Sequence, residues 1–252
     1  MLFEGEIAPE VAEADPVKRR PAPEVPGDIA SAIRRAASEA TAYRREKLVE
    51  QMGRAMEAYD RHRFEEAARL ASRLADEAPR VPEVLEVAGL ACYRSNQWRG
   101  GSRHLAAFRD LKNEGTYLPV EMDCARALGK PMVVARLFEE LRQYSPSPEI
   151  LAEGRIVLAG SLADRGKMAE AIELLESNGA GKPRRNPAER HLRQWYLLGD
   201  IYDRSGDVPT ARALFSMVSE VDPKAYDVAD RLSDLGPARK ARPRRHGGGA
   251  GQ

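Results

Sequence analysis

Residues 195–223 read WYLLGDIYDRSGDVPTARALFSMVSEVDP, two apolar-striped segments on either side of a break at Gly206. In the first segment Trp195, Leu198, Gly199 and Tyr202 recur at the three- and four-residue spacing that gathers side chains on one helix face. Ala211, Phe215 and Val218 do the same in the second, which ends at Pro223. Two helices joined by so short a turn run antiparallel. Small residues at the crossing, here Gly199 and Ala211, let them approach closely.

Upstream the same unit returns. RFEEAARLASRLADEAP (63–79), QWRGGSRHLAAFRDL (97–111), KPMVVARLFEELRQYSP (130–146) and KMAEAIELLES (167–177) each read as the second helix of a hairpin. A turn residue precedes each second helix: His62, Asn96, Gly129, Gly166 and, in the last unit, Gly206. The equivalent residues Phe64, Trp98, Pro131, Met168 and Val208 are separated by 34, 33, 37 and 40 positions. A helix–turn–helix recurring near 34 residues is the mark of a repeat array. The wider spacings require insertions, and NGAGKPRRNP (178–187) supplies one as an exposed loop.

With its W-x₂-L-G-x₂-Y…A-x₃-F…P spacing intact in the last hairpin, the chain resembles the tetratricopeptide repeat (TPR) family. The second hairpin matches through Leu85, Gly89, Trp98, Leu105 and Phe108, with Gly101 where alanine is usual. The first keeps Phe64, Ala67, Ala71, Leu74 and Pro79 behind a degenerate opening helix. The third carries Met122 and Val134 at the two small-residue positions, which predicts a looser crossing; the fourth has Ala159, Gly166 and Ala171, with Arg155 at the usual aromatic position. Segment order over about residues 44–236 also resembles a group of actinobacterial TPR proteins, a resemblance that brings no activity with it.

The expected fold class is therefore all-α: an α-solenoid of about five TPR-like hairpins. A leading helix begins with Asp28 as N-cap and runs toward the first hairpin without a clean break. KAYDVADRLSDLG (224–236) forms an amphipathic cap over the last one. Residues 1–27, acidic and Pro-rich, are expected to be a disordered arm, 28–236 the repeat domain, and 237–252 a disordered basic tail.

Composition narrows the function. Aromatics are 6% of the 252 residues, and 40 basic side chains nearly balance 39 acidic ones, so solvated helix faces are expected and not a globally basic surface. Cys92 and Cys124 fall inside apolar helical patterns, as small buried hydrophobes do. His62, His104, His191 and His246 form no metal-binding spacing, and no phosphate-cradling loop follows a strand. Serines lack a nearby His/Asp context, and Glu65–Glu66 reads as first-turn compensation of a helix dipole. No enzymatic role, no metal and no cofactor are expected. No apolar run is long enough to span a membrane, and MLFEGEIAPEVAEADP lacks the pattern of a secretory signal, so a cytoplasmic protein is expected.

The TPR resemblance implies a concave groove lined by the first helix of each hairpin, with a protein or peptide partner. It assigns to that face Met52, Met56 and Tyr59; Glu86, Leu90, Tyr93 and Arg94; Asp123 and Arg126; Ile156 and Asp164; Tyr196, Asp200, Asp203 and Arg204. Tyrosine and arginine beside apolar residues are the types that dominate interface energy. The family's carboxylate clamp is not expected, because Met52, Met56, Glu86, Leu90, Pro119 and Asp123 offer no cation at its positions. A second possibility is RNA or ribosome association through the tail. There Arg239, Lys240, Arg242, Arg244 and Arg245 stand without an acid and would contact phosphates.

Overall fold

A computed structural model describes residues 22–144 and 146–236. Among these residues every regular element is an α-helix: α1 (Gly27–Ala36), α2 (Ala42–Asp60), α3 (Phe64–Glu77), α4 (Pro82–Arg94), α5 (Trp98–Lys112), α6 (Leu118–Ala127), α7 (Pro131–Gln143), α8 (Pro148–Ala163), α9 (Met168–Glu176), α10 (Glu189–Ser205), α11 (Val208–Val221) and α12 (Val228–Asp234). Helices α2/α3, α4/α5, α6/α7, α8/α9 and α10/α11 form the five hairpins. Each second helix also packs on the first helix of the next unit, and α11 packs on α12. This is an α-solenoid of TPR-like hairpins with a leading helix and a closing one. Of the expected arm, residues 1–21 lie outside the described residues, as does the tail 237–252.

The turns explain the register. His62, Asn96, Gly129, Gly166 and Gly206 all have positive φ, at 59°, 61°, 66°, 77° and 88°. Each reverses the chain by the same two backbone bonds. Asn96 N–H donates to Tyr93 O at 3.1 Å and Gln97 N–H to Cys92 O at 2.8 Å; Gly166 and Lys167 repeat the pair on Ala163 and Leu162, both at 3.0 Å. This satisfies the carbonyls a helix end leaves open. Two residues after each left-handed position the second helix begins, at the residues whose spacing marks the repeat. A Cβ added at Gly166 would meet nothing within 4 Å. Gly166→Ala is therefore expected to cost about 1 kcal/mol through backbone strain alone, measured by chemical denaturation.

Helix starts follow local chemistry. Thr41, Ser147 and Asp207 accept hydrogen bonds from the backbone N–H groups of Arg44, Ile150 and Thr210 at 3.2, 3.4 and 3.2 Å. Pro82, Pro131 and Pro148 occupy first positions, where no N–H is needed. The leading helix begins at Gly27, behind Pro26, and breaks at Ala37; the Thr41 cap then starts α2 afresh.

Small residues sit where the helices cross. A Cβ on Gly89 would lie 2.6 Å from Leu105 Cδ2, and one on Gly199 would lie 2.9 Å from the Phe215 ring. In the third hairpin Met122 and Val134 fill the equivalent positions, and both are fully buried. Cys92 and Cys124 are buried free thiols, with Gly100 and Gly101 backed closely onto their sulfurs. At the C-terminal end Val228 of α12 is buried in the core that holds Leu214 and Phe215. Arg212 Nη2 donates to Leu235 O at 2.6 Å and ties the cap down.

Candidate functional site

The first helices share one face. Helix α2 touches α4, α6 touches α8, and α8 touches α10, while two tyrosine–carboxylate bonds bridge α4 and α6. Along this face lies an open cavity of about 530 Å³, bounded by Tyr93 of α4, residues from Thr116 to Arg126 of α6 and its N-terminal turn, residues from Glu149 to Val157 of α8, and Arg193 of α10. Pro119, Val120, Ile150, Ile156 and Val157 give it an apolar strip.

Its polar margin is held in place. Tyr93 OH donates to Asp123 Oδ2 at 2.8 Å, and Tyr117 OH donates to Glu86. Burial and the neighbouring carboxylates push both phenols well above the ordinary tyrosine range, so they stay protonated donors. Arg126 stands 3.6 Å from Asp123 and donates from Nε to Asp164 Oδ2 at 2.7 Å. The guanidinium lies across Gly160, where a Cβ would come within 2.9 Å of Cζ. Arg193 pairs with Glu153 at 3.1 Å and Arg190 with Glu149. Gly160→Ala is expected to displace Arg126 at little cost in stability. A double-mutant cycle on Arg126 and Asp164 should show their coupling, about 0.2–1 kcal/mol in the wild type, lost in that background.

The residues expected from the sequence divide into groups. Tyr93, Asp123, Arg126 and Ile156 come together at the cavity, with Asp164 beside Arg126 and Glu86 reached through Tyr117. Tyr59 packs edge-on to Phe64 at 5.3 Å, and Arg94 lies over the same ring at 4.4 Å. Arg94 lines a separate depression with His62, Glu66 and Asn96, at the turn side of the first two hairpins. Met52 is fully buried in the core that includes Val25, Ala30 and Ile33, so it does not line the groove. Tyr196 and Asp200 meet the cap: Tyr196 OH donates to Asp227, its ring lies 4.7 Å from Tyr226, and Arg231 of α12 pairs with Asp200 and, at 3.7 Å, with Asp203. Burial and the Asp227 bond push the Tyr196 phenol up to about 12. Arg204 is exposed and donates to Ala163 O at 3.0 Å. The tail cations Arg239, Lys240, Arg242, Arg244 and Arg245 lie outside the described residues.

Sequence reading passed over Val120, Ile150, Glu149, Glu153 and Arg193. A signal for them existed: Glu149, Glu153 and Ile156 fall at i, i+4 and i+7, one face of α8.

Two buried polar groups lie off this face. Glu121 is 2% exposed, and its Oε2 accepts from Arg109 Nη1 at 2.7 Å, while Oε1 has no partner. Arg109 also reaches Glu140 at 3.2 Å and Asp110 at 3.5 Å. Burial outweighs the Arg109 attraction, because half the carboxylate is unsolvated and unpaired, and Glu121 is raised to about 7. His104, also buried, has Nε2 3.2 Å from Ser72 Oγ and 3.1 Å from Arg103; Ser72 Oγ lies 3.6 Å from Cys92 Sγ. Burial lowers the His104 pKa. Among the described residues no group of three or more His, Cys, Asp or Glu is placed to hold a metal ion, and no helix is long and apolar enough to cross a membrane.

No family model matches the chain and no curated protein matches it, so the likeness to actinobacterial proteins in segment order finds no counterpart there. Among solved structures the chain is similar to YrrB, described as a TPR protein with an unusual peptide-binding site. The identity is 13%, the alignment covers 81% of this chain and 99% of that one, and the TM-score is 0.49. At that level the likeness assigns no function and no residue role to this chain.

Proposed function

We propose that the protein is a non-catalytic interaction scaffold that holds a segment of a protein partner in the groove of α4, α6, α8 and α10. One observation supports it: the strip of Val120, Ile150 and Ile156 lies open between side chains already fixed by hydrogen bonds and ion pairs. An apolar floor with a pre-ordered polar rim takes a peptide side chain with little further loss of side-chain freedom. Asp123, Glu149 and Glu153 line the groove, and the Arg126 and Arg193 beside them are already paired, which favours a peptide over a phosphate backbone.

A photo-reactive amino acid placed at exposed Thr116, at the groove edge, should cross-link a partner in cells. The same group at Leu111, on the second helix α5, should not. Cross-linking from Leu111 alone would move the binding surface to the second helices.

A second reading rests on the tail, where five cations stand without an acid over residues 237–252. RNA mobility shifts should weaken when the chain is ended at Gly236, and steeply with salt in the full chain. Equal shifts by both forms would remove the tail from the account.

A further inference from the structure

We infer that the segment held in this groove is cationic: an extended stretch in which an apolar side chain is flanked by arginine or lysine. The inference rests on the groove reading above and adds to it the chemistry of the partner. Around the apolar strip stand Glu86, Asp123, Glu149, Glu153 and Asp164, against the cations Arg126, Arg190 and Arg193. Each of those arginines is already bound to carboxylates on the same face. An acidic ligand would have to break one of these pairs and leave a groove carboxylate unpaired. A cationic ligand breaks none.

Glu153 stands 3.1 Å from Arg193; burial first, and then the neighbouring Glu189, raise its pKa, so a further cation at this point would favour its charged form. At the far end of the same face the chain supplies an arginine of its own. Asp200 follows Gly199 as Asp123 follows Met122, so the two carboxylates hold the same place in their hairpins. Asp200, with Asp203, receives Arg231 from α12, and that guanidinium lies 5.2 Å from the centre of the Phe215 ring. Arg231, from the helix that packs on α11, shows that carboxylates of this face take a guanidinium between them.

The test is selection of random nine-residue peptides displayed on phage against the immobilised full chain, repeated on Ile156→Lys and Glu153→Gln variants checked for unchanged helical content. Enriched sequences should carry arginine or lysine around an apolar residue, be depleted of acids and bind more weakly at high salt. Ile156→Lys should abolish their binding. Glu153→Gln, which keeps the shape, should weaken it about two- to fivefold. Enriched acidic or uncharged peptides that still depend on Ile156 would overturn the cationic assignment and leave the groove reading standing. Peptides that bind Ile156→Lys as well as the wild type, or no enrichment at all, would overturn both.

Discussion

Between pH 5 and pH 8 the wild-type protein should lose about 2–3 kcal/mol of stability relative to a Glu121→Gln variant. Glu121 ordinarily titrates near 4.5 and is raised to about 7 in the folded chain. A group raised on folding stabilises fully below its unfolded value, and the contribution disappears as pH climbs through the folded one. The window is therefore about pH 4.5–7, with stability falling as pH rises. The groups facing the carboxyl are Arg109 of α5, with Asp110 beside it, and Glu140 of α7. Glutamine keeps the contact with Arg109 but has no charge to bury. His104 acts in the opposite direction: its pKa is lowered, so its contribution is present above the ordinary histidine value and is lost as pH falls through the folded one. Because His104 is common to both proteins, the difference between the two melting curves isolates Glu121. Curves that stay parallel from pH 5 to pH 8 would mean Glu121 is charged throughout and fully paired.

Gly199→Leu is expected to cost about 1–3 kcal/mol. Its Cβ alone would stand 2.9 Å from Cε1 and 3.1 Å from Cδ1 of Phe215, whose ring is fully buried beneath Tyr196 and the cap. The ring has no solvent-facing direction in which to move, so α10 and α11 must separate or Phe215 must leave its rotamer. The affected crossing lies at one end of the stack, where each hairpin depends on its neighbour for burial. The loss should therefore appear first in α10–α12, as faster amide hydrogen exchange there than in α2–α5. Unchanged exchange and an unchanged melt would contradict the placement of Gly199 at a crossing.

How much was legible follows from which forces are local. The five turn residues could be found in the sequence because a left-handed residue favours Gly, Asn or His and because each second helix begins two residues later. The periodic alanines and glycines followed from close helix approach. The break between α1 and α2 was harder to see, since it depends on the modest cap at Thr41 inside a polar, helix-favouring run. Tyr196 and Asp200 lie on α10, but no local feature of the sequence shows that Tyr226, Asp227 and Arg231 return to meet them. Met52 was misplaced for a related reason: the core built from Val25, α1 and α2 buries it. Residues such as Glu153 and Arg193 become a pair only once α8 and α10 are stacked.

The most direct measurement is the backbone φ at the five turns of the full chain, read by NMR from intraresidue amide–Hα cross-peaks and scalar couplings. Positive φ is expected at His62, Asn96, Gly129, Gly166 and Gly206, with helical shifts resuming two residues after each. Helical φ at His62 or Asn96, or extended-strand shifts between any two of these turns, would contradict the single repeating hairpin from which the groove is built.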